Sequence, residues 1–350
     1  MNASQEKTSL NVVAIGGGTG LSTLLRGLKR YVPRAGETSP GEYAINNLTA
    51  IVTVSDDGGS SGRLSKEFNV LPPGDIRNCI VALSEEEELL SRIFQYRFRA
   101  GEGLKDHNFG NLFLLALSEL TGDFAEAVRL SSEVLATRGH IFPATTSHVQ
   151  LEALMDDGSK VIGETSITAS KRRIVNLRML PGDAEPIPEA IRAIEDADLI
   201  TIGPGSLFTS LIPNLLVSAV PQAIGDSRAV KVYVCNLMTQ ANESLGLSAA
   251  DHIRAIYEHA RCKLFDYALI NSSPVSEELK SKYAQEGQQQ IAIDIDCIAA
   301  LGVKSILGCY LDAYRRDDGT LLARHNTQRV AEDLIKIAVE MKRTPQSHST

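Results

Sequence analysis

Basic residues are in deficit in this 350-residue chain: 35 Lys and Arg against 43 Asp and Glu leave a formal net charge of −8. Nucleic acid and anionic membrane surfaces both require a positive field, so the balance argues against either as a general partner. A local basic patch remains compatible with a small anionic ligand. Cysteine is scarce. The five residues Cys79, Cys235, Cys262, Cys297 and Cys309 are scattered without a C-x-x-C pair, which suits reduced thiols and not a disulfide framework. Cys235, inside the apolar run Val232–Cys235, reads as a small core hydrophobe. There is no tryptophan, and aromatics make up 5%. No apolar run approaches the roughly 20 residues of a membrane span. The polar stretch Met1–Leu10 lacks the apolar segment of a signal peptide. A cytoplasmic protein with no membrane insertion is expected.

What is present is a rhythm. Val12–Ile15, Ala50–Val54, Leu199–Ile202, Val230–Cys235 and Tyr267–Ile270 are short apolar runs ending in Gly, Ser, Asp or Asn. Strands buried on both faces of a parallel sheet have this pattern. Between them, Leu21–Tyr31, Glu189–Ala197, Ala249–Ala260 and Ser276–Glu286 carry helical spacing. The alternation implies βαβ crossovers and an α/β fold: a Rossmann-like three-layer parallel sheet. Two insertions interrupt it. One, about 76–136, is a run of helices; the other, about 148–180, holds antiparallel strands Val149–Met155 and Lys160–Ile167 around the turn Asp156-Asp157-Gly158. At about 150 residues per domain the length allows two domains, but a single unit spanning 11–343 fits this pattern better. Residues 1–10 and 344–350 are expected to be flexible, and Arg34–Asn47 to form a loop. The charge run Glu85–Glu88 reads as a solvated helix start.

The clearest chemical signal is Ile15-Gly16-Gly17-Gly18-Thr19-Gly20-Leu21, where a buried strand meets a helix through four glycines. Glycine permits close backbone approach, and a helix start offers free N–H groups to an anion. A tight turn accounts for one or two glycines and not for four, so Gly17, Gly18, Thr19 and Gly20 are assigned to a diphosphate. A Walker A loop is excluded, because no Lys follows. The dinucleotide fingerprint is broken, because Leu21 stands at its third glycine. That counts against a nicotinamide-dependent oxidoreductase.

After the next strand comes Ser55-Asp56-Asp57-Gly58-Gly59-Ser60-Ser61-Gly62-Arg63. Asp56 here faces either ribose hydroxyls or, with Asp57, a Mg²⁺ ion beside phosphates. Gly58, Gly59 and Ser60 would make an amide-rich nest, with Arg63 as counter-charge. The plainer reading, a solvated Asp-Gly turn, suits Asp57 alone. Pro72-Pro73-Gly74-Asp75-Ile76-Arg77-Asn78 reads as a helix entry with Asp75 as N-cap and Asn78 in the first turn. His107-Asn108-Phe109-Gly110-Asn111 opens another helix; a lone His is more often structural than catalytic. Gly203-Pro204-Gly205-Ser206 and Asn236-Leu237-Met238-Thr239-Gln240 each follow a buried strand. Together these loops describe one crevice along the strand carboxyl ends, with Asn78 and Asn111 on one wall and Gly205, Ser206 and Asn236 on the other.

Ligand size follows from magnitudes. Three or four amides to a charged group supply roughly 5–12 kcal/mol. Association costs about 4–15 kcal/mol, and micromolar affinity requires about −8 kcal/mol net. A bare diphosphate falls short, so base or sugar contacts must supply the difference.

The strings AIGGGTGLS (Ala14–Ser22), TVSDDGGSSGRL (Thr53–Leu64), PPGDIRN (Pro72–Asn78), Gly110-Asn111, IGPGSL (Ile202–Leu207) and CNLMTQ (Cys235–Gln240) resemble one family. It unites the YvcK-type gluconeogenesis factors with the CofD-type 2-phospho-L-lactate transferases. The resemblance spans Val12 to Leu334 and is nearer to the YvcK branch. That branch implies a homodimeric cytoplasmic protein binding UDP-sugars such as UDP-N-acetylglucosamine. Its implied role is in cell shape and cell-wall metabolism on gluconeogenic carbon sources, with no established reaction. The CofD branch implies the alternative: a Mg²⁺-dependent transferase acting on a nucleotide-diphosphate-linked substrate, with Asp56 and Asp57 at the ion. By the same resemblance Tyr267 and Arg324 contribute to the nucleotide-sugar site. The chain departs from the family at Gln240-Ala241-Asn242-Glu243, where Pro-Gly is usual after Gln, and in the longer Arg34–Asn47 loop.

Overall fold

The structure is a computed structural model that describes residues 8–34, 43–85, 87–170, 172–316 and 319–343. Its centre is a sheet of seven strands: β1 (Thr8–Gly16), β2 (Tyr43–Val52), β3 (His140–Pro143), β7 (Leu199–Ile202), β8 (Val230–Val234), β9 (Tyr267–Asn271) and β10 (Lys304–Gly308). A separate antiparallel sheet holds β4 (Gln150–Met155), β5 (Lys160–Ile162) and β6 (Ile174–Leu180), and a hairpin pairs β11 (Leu311–Arg315) with β12 (Leu321–His325). The main sheet has the order β10-β9-β8-β7-β1-β2-β3, and every pairing is parallel. From β1 the chain winds outward to β3, returns to β7 beside β1, and winds outward the other way. The order therefore reverses between β1 and β7, which is where open α/β sheets bind ligands.

Both faces of the sheet are buried, as the continuous apolar runs require. Along β1, Val13 and Ile15 enter one core and Val12 and Ala14 the other. The second core is roofed by α1 (Gly18–Leu28), α3 (Gly74–Leu83), α5 (Phe109–Thr121), α6 (Phe124–Val134) and the helix Thr327–Arg343. The first lies under the antiparallel sheet and the helices Pro188–Glu195, Val220–Asp226 and Ala249–Ala260. The result is a three-layer α/β protein. Between β2 and β3 also lie α2 (Gly59–Phe68) and α4 (Glu87–Phe94). No single helix among the described residues is long and apolar enough to cross a membrane.

Several boundaries differ from the sequence reading. Thr8–Leu10, expected to be flexible, belongs to β1, where it pairs with β2 and Leu10 is fully buried; residues 1–7 lie outside the described residues. Tyr43–Asn47, read as loop, is the first half of β2; residues 35–42 and 344–350 lie outside the described residues. The expected strand Lys160–Ile167 stops at Ile162. Gly163, at φ +95°, breaks it, and α7 (Glu164–Ala169) follows. Asp75 is not the N-cap of α3; Pro73 holds that position and Asp75 sits within the first turn. Of the charge run at 85–88, Glu85 is paired with Arg138 instead of standing in solvent, and Glu86 lies outside the described residues.

Candidate functional site

At the reversal point β1 runs out at Gly16, and Gly18 (φ +61°) turns the chain into α1. The glycines are required by proximity. A Cβ on Gly17 would stand 2.6 Å from Thr53 Cγ2 and 2.8 Å from Asp75 Oδ2, and one on Gly20 would stand 2.2 Å from the Pro204 carbonyl oxygen. The first turn of a helix leaves N–H groups without intrahelical acceptors. Gly18 gives its N–H to the Asp75 carboxylate. Those of Thr19 and Gly20 take no acceptor among the described residues and lie at the crevice.

The facing loop, Gly203 to Ser206, follows β7 and enters a wide helical turn, Leu207–Leu211, continuous with the helix Ile212–Leu215. Asn236 braces it: its Oδ1 accepts the Gly205 N–H at 3.1 Å and its Nδ2 donates to the Gly205 carbonyl at 2.7 Å. This second helix start is already filled. The buried Glu243 Oε1 accepts the N–H groups of Phe208 (2.9 Å) and Thr209 (2.8 Å), and burial pushes its carboxyl up to about 7. Of these two helix starts, that of α1 is the one left open to an external anion.

Between the two loops lies a cavity of about 330 Å³ lined by Gly17–Gly20, Pro204–Ser206, Ser210, Asn236–Gln240, Tyr283, Gln288 and Ala323–His325. Its outer wall is the β11–β12 hairpin, whose Leu311, Leu321 and Ala323 pack on Leu237, Met238 and Leu279. The Tyr283 hydroxyl accepts the Ala323 N–H at 3.1 Å and fixes that wall. His325, half-buried with its Nε2 3.0 Å from the Cys235 carbonyl, has its pKa pushed down to about 4 by desolvation and is neutral. Arg324 makes no salt bridge among the described residues, which leaves it as the cation of the crevice lining.

The remaining candidates form a second polar cluster behind the glycine loop. Ser60, at the start of α2, accepts from the Asn108 N–H and Asn111 Nδ2, each at 3.2 Å, and lies 3.2 Å from His107 Nδ1. Arg77 donates to Asn111 Oδ1 and Asn78 Oδ1, both at 2.8 Å, while its Nε has no partner among the described residues. Asp56 accepts the Gly58 N–H at 2.9 Å and a bond from Ser61. Burial raises the carboxyls of Asp56 and Asp75, the latter to about 6.

The structure thus divides the expected residues. Gly17, Gly18, Thr19, Gly20, Gly205, Ser206, Asn236 and Arg324 line the crevice; Asp56, Gly58, Ser60, Asn78 and Asn111 belong to the rear cluster, and Gly59 is exposed at the start of α2. Asp57 joins neither: its Oδ1 accepts the Thr165 N–H (2.8 Å) and hydroxyl (2.7 Å), tying α7 down. Tyr267 opens β9, at the opposite end of the strand from the crevice, where its hydroxyl meets Met341 Sδ and its ring faces Lys304. The sequence reading passed over Glu243, Ser210, Tyr283 and Gln288 as ligand-site residues. Glu243 had a visible signal, a lone acid just past the strand-end loop after β8. Tyr283 and Gln288 had none, because they reach the crevice through long-range contacts: Gln289 and Ile291 pair with Leu237 and Thr239, and Tyr283 meets the β11–β12 hairpin.

Mg²⁺ takes one or two carboxylates and completes its shell with phosphate oxygens and water. Asp56 and Asp57 turn to different neighbours, Ser61 and Thr165, and do not form a chelating pair. Asp56 and Asp75, neither in a salt bridge among the described residues, suit an ion whose shell phosphates complete. No group of three or more His, Cys, Asp or Glu among the described residues is arranged to hold a metal alone.

A model of the family described as 2-phospho-L-lactate transferase CofD matches residues 12–310. The chain belongs to the CofD family. Within the CofD family it is 44% identical over 326 residues to a gluconeogenesis factor of Halalkalibacterium halodurans, covering 93% of this chain and 96% of that one. It is 43% identical over 329 residues to the gluconeogenesis factor of Bacillus subtilis, covering 94% and 98%. An X-ray structure of a Bacillus halodurans protein superposes with a TM-score of 0.86 at 44% identity, covering 94% of this chain and all of that one. The CofD-like architecture, a parallel sheet with small antiparallel additions, is common to both.

Proposed function

We propose that the crevice at the β1–β7 reversal binds the diphosphate of a UDP-sugar of the UDP-N-acetylglucosamine type, and that this CofD-family gluconeogenesis factor acts through occupancy of the site. One observation carries the reading: the open N–H groups of Thr19 and Gly20 share the cavity with Arg324, which makes no salt bridge among the described residues. A diphosphate satisfies both, since helix starts and guanidinium groups favour the same anion. The polar lining of Thr239, Gln240 and Gln288 suits a sugar or base beside the diphosphate. Calorimetric titration with UDP and UDP-N-acetylglucosamine checks this. Micromolar binding is expected, weakened about tenfold to a hundredfold in Arg324→Ala, as loss of one charge-assisted bond of about 1.5–3 kcal/mol implies. No heat at millimolar ligand rejects the reading.

A second reading is favoured by the carboxylates Asp56 and Asp75 behind the glycine loop, neither in a salt bridge among the described residues: Mg²⁺-dependent transfer from a nucleotide-diphosphate-linked substrate. Steady Mg²⁺-dependent nucleotide release, abolished in Asp56→Asn, would replace occupancy with turnover.

A further inference from the structure

We propose that the free edge of β6 is a docking site for an extended acidic segment of another protein, which adds to the small antiparallel sheet as a further strand. This site is independent of what the crevice binds.

β6 closes one side of its sheet, whose order is β5-β4-β6. Successive residues of a strand turn their N–H and C=O groups to opposite edges. Leu151 lies opposite Met179, but its carbonyl accepts the Gly163 N–H on the β5 side, so this pair is of the kind not joined by hydrogen bonds. The backbone groups of Leu177 and Met179 therefore face outward. The Leu177 N–H donates to His259 Nε2 at 3.0 Å. The Leu177 carbonyl and the N–H and carbonyl of Met179 have no partner among the described residues. Beside them lies a cavity of about 680 Å³, between β6, the segment around Ser218 and the end of the helix Ala249–Ala260. It shares no lining residue with the crevice. An open strand edge beside a cavity is a template for one more strand.

Charge selects the occupant. Residues 170–180 hold Lys171, Arg172, Arg173 and Arg178 and no acid, in a chain where acids outnumber bases. Arg178 and Arg261 line the cavity against one acid, Glu258, and neither arginine makes a salt bridge among the described residues. Screening acts over about 8 Å at physiological salt, so this local sign outweighs the net charge of the chain. Like charges also keep a second copy of β6 from pairing with this edge, which leaves a strand carrying acids as the one accepted. The cavity wall is strained as well. Asn and Asp tolerate positive φ, and three other non-glycine residues adopt it among the described residues. Two of the three, Ala219 (φ +61°) and Arg261 (φ +59°), line this cavity. Strain of this kind gathers at ligand clamps.

The test is fluorescence anisotropy on the full chain with two labelled peptides of equal length, one alternating Thr and Glu and the other alternating Thr and Lys. The Thr–Glu peptide is expected to bind at least about tenfold more tightly, as one charge-assisted bond implies. Arg178→Glu should lose about tenfold for the Thr–Glu peptide and gain for the Thr–Lys peptide, a reversal that misfolding does not produce. Arg261→Asn, whose side chain tolerates the left-handed backbone, should weaken binding of the Thr–Glu peptide. With that peptide bound, the Met179 amide should exchange its hydrogen more slowly, as a new ladder bond requires. Equal affinity for the two peptides, unchanged binding in Arg178→Glu or unaltered exchange at Met179 overturns the inference. Binding of neither peptide at millimolar concentration also overturns it. All of these outcomes leave the crevice reading untouched, since that reading is tested by UDP and UDP-N-acetylglucosamine.

Discussion

Gly20 and Asn236 fix how the glycine loop and the loop after β7 meet at the crevice. The helix start of α1 and the loop after β7 approach so closely that a methyl group at position 20 would lie 2.2 Å from a backbone oxygen, which cannot rotate away. Gly20→Ala must push the two loops apart, and overpacking of this kind costs about 1–3 kcal/mol. The expected outcome is a lower urea midpoint together with weakened UDP binding; a variant as stable and as tight as wild type would contradict the close approach. Asn236 shows a different distinction. The strand-end position marked it as a ligand contact, yet both amide atoms are spent on Gly205. Its polar character was legible from sequence. The target of that polarity was not, because Gly205 lies 31 residues away and meets it only through β7–β8 pairing.

Among the elements, helix starts carry most of the chemistry. Three starts near the crevice and its rear cluster face carboxylates: α1 faces Asp75, the helix after Ser206 faces Glu243, and α7 faces Asp57. Negative charge at a helix N-terminus is stabilising, which explains why acids cluster here in a site suited to an anion. Asp57 illustrates the consequence. Asp57→Ala removes both bonds to Thr165 and should cost about 0.5–2 kcal/mol, as loss of an N-cap does. Hydrogen exchange should rise across Glu164–Ala169 while Mg²⁺ dependence of any nucleotide binding stays unchanged. A lost Mg²⁺ response would instead return Asp57 to the ion. Elements with continuous apolar runs, such as β7 and β8, were legible because both faces are buried. Strands β10, β11 and β12 were not, since they are short, partly exposed, and lack either a solid run or an alternation.

For the whole molecule, the buried carboxyls shape stability against pH. Glu243 has its pKa raised from 4.5 to about 7 by burial, and Glu164 is likewise raised to about 7 by burial and by the nearby Asp56. At pH 5.5 folded Glu243 is protonated whereas an unfolded glutamate is ionised, so the folded state binds more protons. Its contribution is greatest below the unfolded pKa and is lost as pH rises through about 7, with a slope of up to about 1.4 kcal/mol per pH unit. Urea unfolding across pH 5–8 should therefore show a flatter profile for Glu243→Gln than for wild type. Equal slopes would show that Glu243 is not buried as an acid. The same groups sharpen the meaning of the −8 charge, which describes the outer surface and says little about a crevice lined by N–H groups and Arg324.

The sequence by itself determined the α/β class, the strand–glycine–helix turn and the string of polar loops at strand ends. Each of these depends on neighbours a few residues apart: apolar runs, backbone freedom at glycine, and helix periodicity. Only the tertiary structure decided which loops face one another. It put Arg324 and Tyr283 into the crevice by way of the β11–β12 hairpin, carried Tyr267 to the far edge, and separated Asp56 from Asp57. The reason is physical. A side chain's charge and shape are properties of its residue, but its hydrogen-bond partner is set by strand order and by contacts between residues tens to hundreds of positions apart.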